Sequence, residues 1–411
     1  MKLKLLATTL LLVFWLGSCV QERQRPNVNY TMGDPAESGS RYPYLTTDEN
    51  GKVFMSWLSI IDENMVALIY SSFEGRNWSE AQTVLIDHNF FINWADFPSV
   101  VTKEGAPVAF HWLRKIQGGP YAYEIRVAFQ GDDGRWDRII TPHEDGTPTE
   151  HGFVSMIALD TDRVLAVWLD GRETAGREHG EYENMDQSMT IRSAEITREG
   201  TISRKRVIDS TVCDCCPTDL VATPDGALAV YRNRSEGEVR DIAISRYDFE
   251  TGQWSDPQIV HDDGWQIGAC PVNGPRIDVL GDRAAVSWFT AADGEERVML
   301  AQSTDGGRSF EQPVRIDNGN SMGRVDVKFR DTGALYVSWL DQDEKFGRIY
   351  LREISPAGEL HPPVLMGNTE KGRGSGFPRM AVSENGIIFG WTQTDPFIHA
   401  RNAYYPFQIR D

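Results

Sequence analysis

No apolar stretch in these 411 residues reaches the roughly 20 residues that a membrane-crossing helix needs. The longest, residues 5–16, stops well short, and a bundle of transmembrane helices is excluded. Positive charge is also scarce: 41 lysines and arginines stand against 60 aspartates and glutamates, a formal net charge of −19. So acidic a surface disfavours nucleic acid and anionic lipid as partners. No long segment carries the 3.6-residue apolar period of a helix, which excludes a helical body. Cysteine is sparse. Of five, four fall between positions 213 and 270, where disulfides would clamp one mouth rather than hold the whole fold.

What the chain has instead is a repeat. A short apolar strand ends in Trp57, Trp112, Trp168, Tyr231, Trp288, Trp339 and Trp391, at spacings of 55, 56, 63, 57, 51 and 52 residues. Turn-forming residues precede most copies, as at Asn50-Gly51, Asp225-Gly226 and Asn385-Gly386. Pro43, Pro98, Pro217, Pro275 and Pro378 fall 13 or 14 residues before their anchors, where a residue that cannot donate to a ladder suits the start of a strand. Three or four strands in about 55 residues is one blade of a β-propeller. The expected fold is therefore all-β: a single propeller of four-stranded blades over 36–411, seven by count of anchors. The last repeat is short, and strand material near residues 28–32 is expected to complete it.

Residues 303–310, Ser-Thr-Asp-Gly-Gly-Arg-Ser-Phe, resemble the Asp-box (S-x-D-G-G-x-x-W) of sialidases and BNR-repeat proteins, with Phe310 in place of tryptophan. Ser40-Arg41-Tyr42-Pro43 resembles the R-I-P motif of sialidases. The resemblance implies six blades as the alternative to seven, and an arginine triad gripping a substrate carboxylate. Arg41 matches by motif, while Arg276 and Arg379 match by strand position. It also implies a tyrosine nucleophile paired with a glutamate, and an aspartate acid/base. Asp62 and Tyr231 are the candidates; Glu178, Glu181 and Glu183 offer no clear partner for the tyrosine.

In a propeller the first strand of each blade lines the channel and the second runs antiparallel to it, so the start of one and the end of the other share a face. On that face the sequence places Arg41, Asp96, His151, Asp170, Arg172, Asp219, Arg232, Arg234, Asn273, Arg276, Arg324, Asp326 and Arg379. Guanidinium groups converging on one hollow bind carboxylate or sulfate in a bidentate manner. The plainer expectation is that these arginines pair with neighbouring aspartates and close the channel. Trp94 and Trp265 precede first strands and are candidates to stack on a sugar ring.

Cys213, Cys215 and Cys216 open the fourth blade and Cys270 the fifth, at equivalent places in adjacent blades. In an oxidising compartment disulfides are the default, with Cys270 bridging to Cys215 or Cys216. A metal site in which these thiolates join His151 across the channel, suited to zinc or Cu(I), is the alternative, and a redox-active pair the third. The sequence commits to no cofactor.

Lys2 and Lys4 followed by residues 5–16 have the form of a signal peptide, and Leu16-Gly17-Ser18-Cys19 resembles a bacterial lipobox. The expectation is a signal peptide over 1–18, a lipidated tether over 19–35 starting at Cys19, and a monomer attached by lipid to the outer membrane of a Gram-negative cell. Three functions follow: binding, and cleavage, of an anionic glycan or small acidic ligand; capture of a protein or peptide partner on the same face; or metal or redox chemistry at the cysteines.

Overall fold

The computed structural model describes residues 33–63, 65–177, 185–395 and 397–407. The expected signal peptide, Cys19 and residues 28–32 lie outside them, as do Glu178, Glu181 and Glu183.

The chain forms a seven-bladed β-propeller, so the anchor count is right and the six-blade alternative is not. Each blade is an antiparallel sheet whose strands follow chain order from the channel outward. The seven inner strands are Ser40–Thr47, Ser99–Lys103, His151–Ala158, Asp219–Thr223, Arg276–Leu280, Ser321–Phe329 and Arg379–Ser383. They contact one another in sequence, and the last meets the first. Pro98, Pro275 and Pro378 stand immediately before inner strands. Pro43 lies inside one, where the ladder breaks between Arg41 and Tyr44 and Tyr42 takes φ of 54°. A proline that cannot donate is tolerated there because the bulge has already removed the bond.

The second strands read as near-continuous apolar runs because both of their faces are covered by neighbouring blades. Their anchor aromatics are all buried; five of the polar tips find carboxylates, while Trp391 Nε1 has no partner among the described residues. Trp168 Nε1 donates to Asp170 at 2.8 Å and Trp339 Nε1 to Asp341 at 2.7 Å, within one strand. Elsewhere the acceptor belongs to the preceding blade. Trp112 reaches Asp87 at 3.4 Å, the Tyr231 hydroxyl reaches Asp209 at 3.1 Å, and Trp288 reaches Asp263 at 2.6 Å. The anchor aromatics therefore fill the seams between blades, and Trp112, Tyr231 and Trp288 also peg their blade to the one before.

Blade 7 has three strands among the described residues. Its outer strand, His399–Pro406, is met by the chain entering blade 1. Ser38 bridges His399, and the Asp34 carboxylate accepts from His399 Nε2 (3.1 Å), Arg401 Nη1 (2.8 Å) and Asn402 N (3.0 Å). The start of the ring thus closes onto its end.

Candidate functional site

The antiparallel pairing brings inner-strand starts and second-strand ends to one face, as with His151 opposite Asp170 and Ser321 opposite Asp341. The wide opening is at the other end. A cavity of about 680 Å³ runs up the channel from the ends of the inner strands, past Thr47, Lys103, Ala158, Ala222, Asp278 and Ser383, and reaches Tyr44 and Arg276. On the face expected to hold the funnel, only about 30 Å³ is left at the axis, among Tyr44, Asp96, Ser99, Ser155, Thr218, Arg276 and Arg379. Aromatics at the starts of the inner strands and just ahead of them close it. Tyr42 stacks with Phe97 (6.0 Å), and Trp94 with Phe377 (5.7 Å).

Most of the polar residues singled out from the sequence are spent on the fold. Asp96 Oδ2 accepts the Phe153 N–H at 2.7 Å and Asp326 Oδ2 the Met380 N–H at 2.8 Å. Asp219 Oδ2 likewise accepts the Ile277 N–H at 2.9 Å. In each case a carboxylate in or just ahead of an inner strand holds the backbone of the next blade. Arg232, fully buried, donates to the carbonyls of Asn273, Arg240 and Phe289 and covers the Trp265 ring at 4.8 Å, which removes that indole as a sugar platform. Arg324 donates to Ser375 Oγ and to the carbonyls of Gly376 and Gly372, while its own N–H meets Asn273 Oδ1. Its guanidinium lies over the half-buried Trp94, 4.9 Å away. Arg41 is half-buried, with its Nε buried and lacking a hydrogen-bond partner among the described residues.

Tyr231 is wholly buried in the seam between blades 3 and 4, and burial together with Asp209 raises its pKa far above the ordinary value. Asp62 lies exposed in the turn after the second strand of blade 1, three blades away. The two do not meet.

His151, Asp170 and Arg172 belong to a second cluster that the sequence did not complete. His143 and Asp145, from the loop ahead of blade 3, complete it. The His143 and His151 rings stack at 3.8 Å and 3°, and both point a nitrogen at Asp145 Oδ2, at 3.3 and 3.1 Å. Ile125 N–H donates to His143 Nε2, so Nδ1 carries the proton given to Asp145. Burial, with His151 alongside, lowers the His143 pKa to about 4. Burial raises that of Asp145, but hydrogen bonds from His151 and Thr147 outweigh it and hold the carboxyl well below the usual range. Arg172 adds a bidentate grip on Asp170, both bonds 2.7 Å, and a 3.2 Å contact to Asp145. The donors of this cluster are turned on one another, and His151 is engaged here, not with the cysteines across the channel.

Two arginines remain on the axis. Arg276 is paired with Asp219 (3.1 Å) and Asp326 (3.3 Å); burial alone would lower its pKa, and the two carboxylates raise it. Arg379 has neither. It is 4% exposed, sits against the Phe97 and Phe377 rings at 5.5 Å, and its Nε and Nη1 hydrogen-bond to nothing among the described residues. Burial, with Arg276 as a like-charged neighbour, draws its pKa down to about 10.

None of the expected disulfides is formed among the described residues: Cys213, Cys215, Cys216 and Cys270 are unbridged. Cys213 and Cys216 stand three apart, a C-x2-C step hidden inside the run and overlooked in the sequence.

No protein-family model matches the chain, and no curated protein matches it. Solved structures of similar shape include the NanB sialidase from Streptococcus pneumoniae, at 11% identity and TM-score 0.46 over 92% of this chain and 70% of that one. A protein of unknown function from Dyadobacter fermentans aligns at 9% identity and TM-score 0.49, over 90% and 95%. A subtype N11 neuraminidase-like protein of A/flat-faced bat/Peru/033/2010 (H18N11) aligns at 9% and 0.43, over 84% and 90%. The likeness concerns the propeller; what those proteins bind or cleave is their own.

Proposed function

We propose that this propeller is a binding protein for a small acidic ligand, an anionic sugar above all, received through the 680 Å³ funnel and anchored at its closed end by Arg379 beside Arg276. The observation that carries this reading is the buried guanidinium of Arg379 with two donor nitrogens unmet by the fold. Desolvating a charge without a partner is costly, and a carboxylate or sulfate supplies the missing acceptors in the geometry that guanidinium prefers. Tyr44 and Arg276 line both the funnel and the small cavity holding Arg379, so a ligand entering from the wide end meets them on the way. Binding, rather than glycoside cleavage, is the reading the side chains favour, since Asp62 and Tyr231 lie apart. On this reading a lipid at Cys19 holds the propeller at the outer membrane.

The test is a thermal-shift titration of the folded chain with sialic acid, uronic acids and sulfated sugars, against neutral sugars of equal size. A ligand at 100 times its Kd stabilises the folded state by about 2.7 kcal/mol. A shift with an acidic sugar that vanishes in Arg379→Met supports the reading. Equal responses to acidic and neutral sugars, or none to either, would falsify it.

A further inference from the structure

The turn joining blade 3 to blade 4 carries three cysteines whose sulfurs all lie within 4.8 Å of one another. Cys213 and Cys216 are buried and Cys215 half-buried. The Cys213 and Cys216 sulfurs are 3.2 Å apart, well beyond the ~2.05 Å of a bond. Cys270, half-buried in the loop ahead of blade 5, lies beside Cys215 but outside the group of three sulfurs. That loop can come so close because of Gly274, where a Cβ would fall 1.8 Å from the Pro217 carbonyl oxygen. Only bare backbone fits.

The turn is held from outside by charge and by backbone. Arg240, fully buried, donates Nη1 to Cys213 Sγ at 3.3 Å and is itself held by Glu238. The Cys213 N–H donates to the Arg232 carbonyl at 2.9 Å and fixes the turn. Burial raises the Cys213 pKa, but hydrogen bonds from Cys215 and Cys216 and the charge of Arg240 outweigh it and hold this thiol far below its ordinary value. Burial and the neighbouring Cys213 push Cys215 and Cys216 up.

We propose that Cys213, Cys215 and Cys216, with Cys270 as fourth donor, hold one thiophilic closed-shell metal ion, Cu(I) or Zn(II). All-sulfur donor sets select such ions. Sulfurs each ~2.3 Å from one ion lie about 3.8–4.0 Å from each other, between the 3.2 Å and 4.8 Å that bound the cluster now. Loading is an exchange of protons for metal: each coordinating thiol gives its proton to solvent, the ion keeps its oxidation state, and no redox partner is required. The Arg240 hydrogen bond to Cys213 serves as the outer support that orients a ligand. With Cys270 drawn in as fourth donor the set would be closed, making this a structural or storage site, not one with a position open to substrate. It is independent of the channel and its arginines.

The full chain, purified reduced and kept anaerobic, is titrated with Cu(I) in competition with bathocuproine disulfonate and, separately, with Zn(II) in competition with a chromogenic chelator. The expected result is one equivalent of one of these ions, an ultraviolet sulfur-to-metal band, and about two to three protons released per ion in weak buffer. Cys215→Ser and Cys216→Ser should abolish stoichiometric binding, and Arg240→Lys should weaken it by about 10–100-fold. The wild-type titration stands whether or not a variant folds. Failure of both ions to bind stoichiometrically to the reduced chain overturns the proposal. So does a chain isolated without reductant that contains no metal and carries a mapped Cys213–Cys216 disulfide.

Discussion

Asp326 meets Arg276 of the neighbouring blade, Oδ1 to Nε at 3.3 Å, while its other oxygen accepts the Met380 N–H of blade 7 at 2.8 Å. One carboxylate thus neutralises a buried guanidinium and ties two blades. Burial raises its pKa, but Arg276, Lys328 and Arg379 outweigh this and hold it low. Its contribution is present above the unfolded-state pKa and is lost as pH falls through the folded one. Asp326→Ala should cost about 3–5 kcal/mol, the range for breaking a buried pair and stranding one partner. Urea denaturation measures it, and a cost below about 1 kcal/mol contradicts the role.

Asp96 shows the opposite linkage. Burial raises its pKa from 3.8 to about 7, so across that window the folded state keeps a proton that the unfolded state releases. Its stabilisation is complete at acid pH and fades as pH climbs to about 7. His143, lowered to about 4, runs the other way, so the informative quantity is a difference. Asn at position 96 keeps an acceptor for Phe153 N–H but does not titrate. The melting temperature of Asp96→Asn relative to wild type should rise between pH 4 and 7 and then level. A flat difference contradicts the shift.

Arg276 and Arg379 should respond in opposite senses to the same substitution. Arg276→Met strands Asp219 and Asp326 and should lower stability by about 3 kcal/mol or more. Arg379→Met removes a buried charge that has no ion pair and only longer-range attraction to Asp326 and Asp219, and keeps the packing against Phe97 and Phe377. Without ligand it should be neutral or stabilising. A large loss from Arg379→Met would mean that its charge serves the fold.

Tyr231 is the tyrosine form of the tryptophan peg. Tyr231→Phe should cost about 1 kcal/mol for the lost bond to Asp209 and leave any response to acidic sugars intact. Loss of that response, in a variant that still melts cooperatively, would return Tyr231 to the binding site.

Gly274→Ala forces a backbone shift where the loop bearing Cys270 rests on Pro217. It should cost about 1–3 kcal/mol and make Cys270 react faster with a thiol reagent than in wild type. Unchanged reactivity would show that the loop does not depend on that contact.

The architecture was legible because its determinants are local. An apolar strand ending in an aromatic, a turn before it and a proline ahead of the inner strand recur often enough to count blades. Even Tyr231 could have been read from its place in the series as a seam residue. The site was less legible because partners decide it. Asp96, Asp219 and Asp326 look like ligands of a funnel, yet each takes a backbone N–H of the next blade, and a backbone donor leaves no mark in the sequence. The open end of the channel was misread for a related reason: Tyr42, Phe97, Trp94 and Phe377 close the expected face only by stacking on one another. Arg379 was named for its strand position, whereas its lack of a partner is visible only in three dimensions.

The contacts of Asp34 with His399, Arg401 and Asn402 make the ring a belt with its buckle at the point where the chain enters. Tension arriving along the N-terminal segment would load that buckle before any sheet. It would strip Asp34 and Ser38 from blade 7 first, and the ring would open between blades 7 and 1. The mechanical weak point of the molecule is thus set beside its entry, remote from the cysteine turn between blades 3 and 4, which should outlast it under load.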